Sequence, residues 1–477
     1  MHRYAQIPAS PLAPLLLTAV LLAAQLALAG TAAATCGMAL SGYGARAGAM
    51  GGAGLGYDAG NSNVMNNPAA FGLRGEGNVF GIGMNVLSPD VEVEHEASGA
   101  TAESEGDFYP SPSISLMRTN AAGLTYGAAF LAQGGMGTEY GDDTFLSPSG
   151  REVRSEVSFG RLMLPLAYRV NDRLSVAAQV DYVIGNMDLQ MDMPGNQVRG
   201  LMSGDGGSLS TSPGLGMALD IFSAFDYARV DFSDSSDIAG EAQGSGLAGK
   251  IGALLRVTPR LTVGTTYHSE SDIGDLTTSG NGAELAFQGE AADGSTQSVA
   301  LQGKVAVEDF EWPATYGIGA AYEVNDRVTV AADVKRIAWS DVFDAFSLNF
   351  QASDAEANNL GPGQDFRGEE VDLTLTQEWD DQTVYAVGAA FKATPALTLR
   401  AGISIADNPI PADYVNPLFP AIIEDHVTGG LSYALTERSK VGAAAVYAPE
   451  VEVTNPRTGV TARHSQINGR LNYVYRF

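Results

Sequence analysis

Apolar and polar residues alternate along many short segments of this chain of 477 residues. In LTLRAGISI, for example, every second residue is apolar, and these side chains are Leu397, Leu399, Ala401, Ile403 and Ile405. The segments RVTVAADV and INGRLNYVYRF, the second at the C-terminus, repeat the same pattern. A period of two with one apolar face is typical of β-strands that lie against apolar surroundings. The pattern therefore predicts an all-β protein.

Short turn signals separate these segments in pairs. The six signals are Thr119-Asn120, Asn171-Asp172, Thr258-Pro259, Asn325-Asp326, Thr394-Pro395 and Thr436-Glu437. They alternate with seven long polar stretches, which are residues 89–108, 134–152, 192–245, 272–310, 340–380, 408–424 and 451–463. Short turns at one rim and long loops at the other are typical of bacterial outer-membrane barrels, whose strands are even in number. We therefore predict a transmembrane antiparallel β-barrel of about 14 strands.

The N-terminus has the features of a secretory signal peptide. Arg3 precedes an apolar run at residues 12–29, and the run ends in the small-x-small sequence ALA. This arrangement predicts a signal peptide at residues 1–29, with an alternative cut after residue 34. No later apolar run approaches the about 20 residues that a membrane-spanning helix needs. A secreted chain of this kind can still cross a membrane through strands.

The net charge and the positions of cysteine and histidine argue against several classes of function. The formal net charge of −28 argues against nucleic-acid partners, because phosphates repel an acidic surface. Acid-rich loops facing outward fit this charge, either bridged by divalent cations to outer-membrane lipid and lipopolysaccharide or as a solubilising surface. Cys36 is the single cysteine, so we predict no intrachain disulfide, no cysteine-metal site and no cofactor. His268 and Ser269 are strand neighbours that point to opposite faces, so we predict no catalytic residues and no enzyme.

A glycine-rich segment without strand or helix periodicity precedes the first strand and reads GARAGAMGGAGLGYDAGNSNVMNNPAAFG. A barrel of about 14 strands is wider than its wall side chains can fill. We therefore predict that residues 35–74 fold inside the lumen as a hatch and that residues 75–477 form the barrel. Glycines permit close packing against a wall, and asparagine amides can bond to backbone groups. A periplasmic tail outside the barrel is the alternative.

This segment resembles the N-terminal hatch of the FadL family of outer-membrane transporters for long-chain fatty acids and other hydrophobic compounds, with Asn67-Pro68-Ala69 at its end. The segments AQGGMGTEYGDD, FEWPATYGIGAAYEVNDRVTVAADVKRIAWSDV and YAVGAAFKATPALTLRAGISIADNPIPADY are also similar to the family, in the same order. The resemblance implies a monomeric plugged barrel of about 14 strands that works without an energy source. It also implies ligand capture at extracellular loops, transfer to a lumenal cavity against the hatch, and lateral exit through a kinked third strand.

The capture site is predicted within residues 192–245, in the segment LGMALDIFSAFDYARV. Helical spacing of its apolar residues predicts a short amphipathic helix. Its apolar face forms the outer ligand-binding groove, with the residues Leu215, Leu219, Phe222 and Phe225. A helix that only packs on the rim of the barrel is the alternative.

Two further groups of residues are assigned to the transport route. Gly134 and Gly135 interrupt the third strand, where they form either the lateral-opening kink or a plain strand end. The hatch residues form either the floor of the cavity and its gate or a static contact, and they are Asn66, Asn67, Pro68 and Ala69.

The region of the fifth strand bears on the substrate. Members of the family that transport fatty acids commonly place a basic side chain in the lumen, but the corresponding region here, DYVIGNMDLQ, has neither arginine nor lysine. Lys304, Lys335 and Arg336 are candidate substitutes. A lumen without a cation suits neutral aromatic hydrocarbons better than long-chain fatty acids, and both stay as predicted ligands. A general diffusion porin is a further alternative, although a hatch argues against it.

Overall fold

The structure, a computed structural model, describes residues 37–234, 240–360 and 364–477. The predicted signal peptide, both of its cleavage sites and Cys36 lie outside the described residues. Strands dominate the described part of the chain, and 22 of them join in one sheet. Among the described residues, no helix has the length and apolar character needed to cross a membrane. The all-β prediction is confirmed.

The elements follow each other in chain order. The strands up to residue 278 are β1 (Gly77–His95), β2 (Ala100–Glu103), β3 (Tyr109–Thr119), β4 (Leu124–Tyr140), β5 (Val153–Arg169), β6 (Leu174–Pro194), β7 (Gly207–Thr211), β8 (Phe222–Phe232), β9 (Ala242–Arg256), β10 (Leu261–His268) and β11 (Leu276–Thr278). The later strands are β12 (Ala283–Ala291), β13 (Thr296–Glu308), β14 (Thr315–Glu323), β15 (Val328–Ile337), β16 (Ala345–Ala352), β17 (Glu370–Thr376), β18 (Gln382–Lys392), β19 (Leu397–Ala406), β20 (His426–Ala434), β21 (Ser439–Asn455) and β22 (Val460–Arg476). The helices are α1 (Gly44–Gly48), α2 (Gly195–Met202) and α3 (Pro213–Leu219), with 3₁₀ helices at Asn61–Val64, Pro68–Leu73, Trp339–Asp341, Glu356–Asn358 and Ala412–Tyr414.

The sheet closes on itself in two ways. Near the short turns, a ring of fourteen wall strands pairs in the order β1, β3, β4, β5, β6, β9, β10, β14, β15, β18, β19, β20, β21 and β22, and β22 pairs with β1. Toward the other end, β8, β12, β13 and β11 are inserted between β6 and β9, so the complete closed barrel has 18 strands. The prediction of about 14 strands is wrong for the complete barrel, because it assigned the inserted strands to polar loops.

The inserted strands were missed because their exposed positions are polar. Along β13, for example, Val299, Leu301, Val305 and Val307 are buried, whereas Lys304 is exposed. This is the period-two pattern of a strand with one buried face and one polar face. The stretches predicted as loops, residues 192–245 and 272–310, therefore contain the inserted strands β8, β11, β12 and β13.

All six predicted turns are confirmed as connections between consecutive wall strands. In each turn a side-chain oxygen near the start accepts hydrogen bonds from backbone N–H groups further on. Asn171 Oδ1, for example, accepts from the N–H groups of Arg173 at 2.8 Å and Leu174 at 2.9 Å. Thr258 Oγ1 accepts in the same way from Leu261 at 3.0 Å. These local bonds explain why asparagine and threonine mark the turns so clearly.

One face of the wall strands presents apolar side chains to the surroundings of the barrel. The exposed apolar residues alternate with buried ones along each strand, as the outer face of a membrane barrel requires. They include Ile82, Ile114, Leu116, Leu162, Leu164, Leu166, Val180, Ile251, Ile318, Val387, Leu399, Ile403 and Ile405. The apolar face that the sequence pattern predicted is thus the face that meets lipid.

The N-terminal segment, residues 37–74, contains no exposed residue. Its backbone N–H groups donate to wall side chains, from Gly51 to Thr428 Oγ1 at 2.8 Å and from Gly54 to Asp333 Oδ2 at 2.7 Å. Its carbonyl groups accept from wall cations, as in the 2.6 Å bond from Arg169 Nε to the oxygen of Gly72. These three partners belong to β20, β15 and β5, so the segment is anchored to strands that are distributed around the ring.

Candidate functional site

A gap interrupts the wall between β3 and β4. The two strands pair only from Ser113 with Leu131 to Thr119 with Thr125. β4 then continues to Tyr140 with its ladder to β5 alone. Toward the loop end, the edge of β4 that would face β3 pairs with no other strand among the described residues and forms only an isolated bridge, between Gly134 and Ala39 of the N-terminal segment. The ladder between the two wall strands is therefore interrupted at this point.

The sequence on both sides of the gap works against pairing. Pro110 and Pro112 in β3 have no backbone N–H, so they cannot donate to a neighbouring strand. In β4 the register with β5 shifts between Ala132 and Gly134, which leaves Gln133 as the extra residue of a β-bulge. A Cβ on Gly134 would lie 2.2 Å from the carbonyl oxygen of Met38, so this position has no room for a side chain. The irregularity therefore coincides with the glycines that the sequence marked.

A cavity of about 410 Å³, the inner cavity, lies beside this gap. Strands β1, β3, β4, β5, β6 and β22 contribute to it, together with Leu40 of the N-terminal segment and Pro420. Within the described part of the chain, its lining contains no lysine or arginine. The apolar side chains that line it include Leu40, Leu87, Val91, Phe130, Val157 and Phe159. An apolar cavity of about 150 Å³ already accommodates benzene in an engineered protein, so the inner cavity has room for a larger apolar molecule.

The polar groups of the inner cavity are mostly bonded to the protein itself. Glu156 forms an ion pair with Arg154 at 2.7 Å, which offsets its charge. Asn186 Oδ1 accepts hydrogen bonds from Ser158 Oγ at 3.2 Å and from the N–H of Gly240 at 2.9 Å. The cavity therefore presents few free polar groups to a ligand, as expected of a site for apolar molecules.

A second cavity of about 640 Å³, the outer cavity, lies toward the loop end. Helix α2 lines it with Gln197 and Leu201, and Phe145 and Leu418 lie on other parts of its wall. Residues 415–418 line the outer cavity, whereas Pro420 lines the inner one, so the segment 415–420 separates the two. The arrangement places two cavities in series along the barrel.

Comparison with known proteins identifies the family. Residues 16–474 match the outer membrane protein transport protein family (OMPP1/FadL/TodX). The chain belongs to this family. It is therefore a transport protein of the bacterial outer membrane and not an enzyme.

Solved structures of family members cover nearly the whole chain. The toluene transporter TodX of Pseudomonas putida is 29% identical, with a TM-score of 0.78, and the match covers 92% of this chain and 99% of TodX. The toluene transporter TbuX of Ralstonia pickettii is 28% identical, with a TM-score of 0.72, and the match covers 92% of this chain and 99% of TbuX. An uncharacterized protein in the phosphoenolpyruvate carboxykinase gene 5' region of Chlorobium limicola is 49% identical over 73 residues, which span 15% of this chain and only 35% of that protein.

The predicted gate residues of this family member do not line the inner cavity. Asn67 Nδ2 donates to the carbonyl oxygens of Leu55 at 2.9 Å and Ala253 at 3.2 Å, and Asn67 Oδ1 accepts from the N–H of Ala69 at 3.0 Å. Asn66 Nδ2 donates to the carbonyl oxygen of Tyr43 at 3.0 Å. Pro68 begins the 3₁₀ helix that follows. The residue of the N-terminal segment that lines the inner cavity is Leu40, which the sequence did not mark.

The predicted capture helix is only partly correct. Helix α3 ends at Leu219, and Phe222 begins β8, which pairs with β6 and β12. The helical prediction fails after Leu219 because the following residues find strand partners on both sides. Phe225 packs against Phe222, with the ring centroids 5.1 Å apart. Helix α2, which lines the outer cavity, was not predicted, although the spacing of Val198 and Leu201 fits its buried face.

The three basic residues proposed as carboxylate partners do not reach the inner cavity. Lys335 Nζ donates to the carbonyl oxygen of Gly52 at 2.8 Å. Lys304 is exposed on β13, and Arg336 is exposed and pairs with Asp381 at 3.0 Å. The sequence did not indicate the buried cations that the wall does contain. Among the described wall residues these are Arg154, Arg161, Arg229, Lys250 and Arg470.

Two of these buried cations show that their charged groups already have partners within the protein. Arg161 NH1 lies 3.3 Å from Asp181 Oδ2 and thus has an acidic partner. Lys250 Nζ donates to the carbonyl oxygens of Val64, at 3.3 Å, and Met65. Neither residue lines the inner cavity, so neither offers a cation to a ligand there.

Proposed function

We propose that this protein carries small neutral apolar molecules, of the monoaromatic hydrocarbon type, across the outer membrane without an energy source. The observation that carries the proposal is the inner cavity, which is largely apolar, has no lysine or arginine in its described lining and lies beside a gap in the wall. TodX and TbuX, to which the chain is similar over nearly its whole length, are toluene transporters.

A long-chain fatty acid is a poorer match to this cavity. A buried carboxylate without a cation or several hydrogen-bond donors is costly to desolvate. The only charged side chain in the described lining is Glu156, which would repel a carboxylate even though Arg154 offsets part of its charge. A hydrocarbon meets no such cost, and burying its apolar surface is favourable.

In the proposed route the two cavities act in sequence. The outer cavity captures the ligand, and the segment 415–420 controls its passage into the inner cavity. From there the ligand leaves sideways through the gap between β3 and β4, which the bulge at Gln133 and the glycines Gly134 and Gly135 keep open. This path keeps an apolar ligand out of bulk water, because the gap faces the lipid.

The N-terminal segment acts in this proposal as the hatch of a two-part protein, with residues 35–74 inside a barrel formed by residues 75–477. Asn66, Asn67, Pro68 and Ala69 hold the hatch in place through the bonds described above. Leu215, Leu219, Phe222 and Phe225 belong to the buried apolar cluster of the loop end, where they support the outer cavity. A bore closed in this way conducts few ions, which distinguishes the protein from a diffusion porin.

The test is uptake of labelled toluene and labelled oleate by cells with and without the protein. We expect faster toluene uptake with the protein and no change for oleate. The variant Ala132→Phe places a ring in the inner cavity and should lower toluene uptake. Ala389→Phe, on the exposed face of β18, is the matched control and should transport normally. Accelerated oleate uptake without any effect on toluene would contradict the proposal.

A further inference from the structure

The gap between β3 and β4 is bounded at both ends. Toward the short turns it ends at the pair formed by Ser113 and Leu131. Toward the loops, the N–H of Glu105, which precedes β3, donates one backbone hydrogen bond to the carbonyl oxygen of Glu139 in β4 at 2.8 Å. Between these two connections, residues 106–112 form no ladder with β4 among the described residues. The gap is therefore an opening of limited length.

The inner cavity borders side chains of both faces of the wall. Its lining includes Val157 and Phe159, which are buried inside the barrel. It also includes Met84, Phe130 and Ile184, which are between 37% and 42% exposed and belong to the apolar outer face. A continuous wall keeps the side chains of its two faces apart. The cavity therefore extends into the gap, toward the lipid.

The side chain of Tyr109 spans the gap. Tyr109 belongs to β3, pairs with Leu87 of β1 on its other side and lines the inner cavity. Its ring reaches β4, because a Cβ on Gly137 would lie 2.8 Å from the Tyr109 hydroxyl oxygen and 3.0 Å from its Cζ. Gly137 thus leaves the room that the ring occupies. Tyr109 connects the two strands where their backbones do not pair.

The Tyr109 ring is also the part of the gap that moves most easily. A half-buried side chain changes its rotamer without breaking a backbone hydrogen bond, whereas a paired sheet widens only when ladder bonds break. The neighbouring Pro110 and Pro112 have a fixed φ, so the backbone of β3 is stiff beside the gap. A molecule that leaves through the gap therefore displaces the Tyr109 ring first.

We propose that the Tyr109 ring closes the gap between β3 and β4 and limits the width of the apolar molecules that leave through it. This inference rests on the proposed function and names the residue that controls its exit step. A hydrocarbon with one ring requires a smaller displacement of Tyr109 than a hydrocarbon with two rings. The side chain therefore slows the larger molecule more.

The experiment measures uptake of labelled toluene and labelled biphenyl by cells that contain the full-length protein. The uptake of cells without the protein is subtracted, and rates are normalised to the amount of folded barrel, so that a folding defect does not alter the comparison. In Tyr109→Ala the ring is absent. We expect the ratio of biphenyl to toluene uptake to rise about tenfold, which corresponds to a barrier lower by about 1.4 kcal/mol.

Two further variants show whether the effect belongs to the ring and to its position. Tyr109→Phe keeps the ring and should keep the wild-type ratio. Tyr168→Ala is the matched control, because Tyr168 is 46% exposed on β5 and lines neither the inner nor the outer cavity. This variant should also keep the wild-type ratio.

The outcomes separate this inference from the proposed function. Normal toluene uptake by the wild type, with an unchanged ratio in Tyr109→Ala, would overturn the role of Tyr109 and leave the proposed function intact. An equal loss of both uptakes in Tyr109→Ala would also overturn it, because the ring would then hold the gap open. A Tyr109→Phe variant that behaves as Tyr109→Ala does would exclude the ring as the barrier. Uptake of neither hydrocarbon by the wild type would overturn the proposed function and this inference together.

Discussion

The N-terminal segment and the wall strands are held by different kinds of interaction. Each wall strand is fixed by a regular ladder to both neighbours, so its stability is distributed over many equivalent hydrogen bonds. Among its described residues, the N-terminal segment pairs with the wall only through one isolated bridge, between Ala39 and Gly134, and otherwise depends on a few specific bonds, such as those from Gly54 and Leu55 to Asp333 Oδ2. The comparison teaches that single substitutions should affect the segment far more than the wall.

Three glycines differ in the space that a side chain would find. At Gly52, inside the segment, φ is +86° and a Cβ would lie 1.6 Å from the carbonyl oxygen of Ser41. At Gly51 a Cβ would lie 2.1 Å from the carbonyl oxygen of Ile403 in β19. At Gly469 in β22, by contrast, a Cβ would meet nothing within 4 Å. Gly51 and Gly52 are thus needed for close approach of backbones, whereas Gly469 is a wall position that tolerates a side chain.

Removal of the whole segment should have the largest effect. If residues 37–74 close the bore, their deletion leaves a water-filled barrel, and single-channel recordings should change from nearly silent to large, steady ion currents. The strands of the ring keep their own ladders, so the deletion variant should still insert as a barrel. Recordings that stay as silent as those of the wild type would show that something else closes the bore.

The substitution Gly52→Ala should open the bore less completely than deletion of the whole segment does. The left-handed backbone and the overlap with Ser41 together cost about 3 kcal/mol, which displaces this part of the segment. We expect frequent current openings and faster proteolysis of the segment. Gly469→Ala, the matched wall substitution, should behave as the wild type does, and equal effects of the two substitutions would remove the distinction between segment and wall.

A smaller effect on conductance is expected from the ion pair between Asp58 and Arg74, whose charged atoms lie 2.8 Å apart. Burial acts to raise the pKa of Asp58, but the charge and hydrogen bonds of Arg74 and the charge of Arg46 hold it well below its usual range. A lowered carboxyl pKa stabilises the fold above the unfolded value of about 3.9, and this contribution is lost as the pH falls through the lower folded value.

The wild-type conductance should therefore stay low from pH 7 to about pH 4. In Asp58→Asn the buried guanidinium of Arg74 loses its anion at every pH, at a cost of about 2 kcal/mol, and brief openings should appear already at pH 7. Openings in the wild type that begin between pH 7 and pH 5 would contradict the lowered pKa of Asp58.

Local patterns predicted the parts of the fold that local interactions determine. The turns at Asn171 and Asn325 were found because their side chains bond to the next few backbone groups. The strand number was wrong because β8 and β11 to β13 have polar outer positions, and whether such a segment is a loop or a strand depends on distant partners. The helix prediction at Phe222 failed for the same reason, since its partner in β12 lies at Ala291.

Less of the candidate site than of the fold could be predicted from the sequence. Gly134 and Gly135 marked the irregular strand, but the gap also requires that Tyr109 to Pro112 of β3 stay unpaired on the side of β4. The prolines at 110 and 112 were a signal that could have indicated this. Leu40 and His464 line the inner cavity only because segments far apart in the chain meet there, and no spacing of residues reports such a meeting.

The central claim is that apolar ligands leave sideways through the gap beside β4, and deletion of Gln133 tests it most directly. The deletion removes the bulge, so Ala132 and Gly134 continue in register with Gly160 and Phe159 and the strand straightens across the gap. Gln133→Ala keeps the bulge and serves as the control. We predict that labelled toluene uptake falls to the level of cells without the protein in the deletion variant, and that it persists in Gln133→Ala. Toluene uptake at the wild-type rate after deletion of Gln133 would contradict lateral exit.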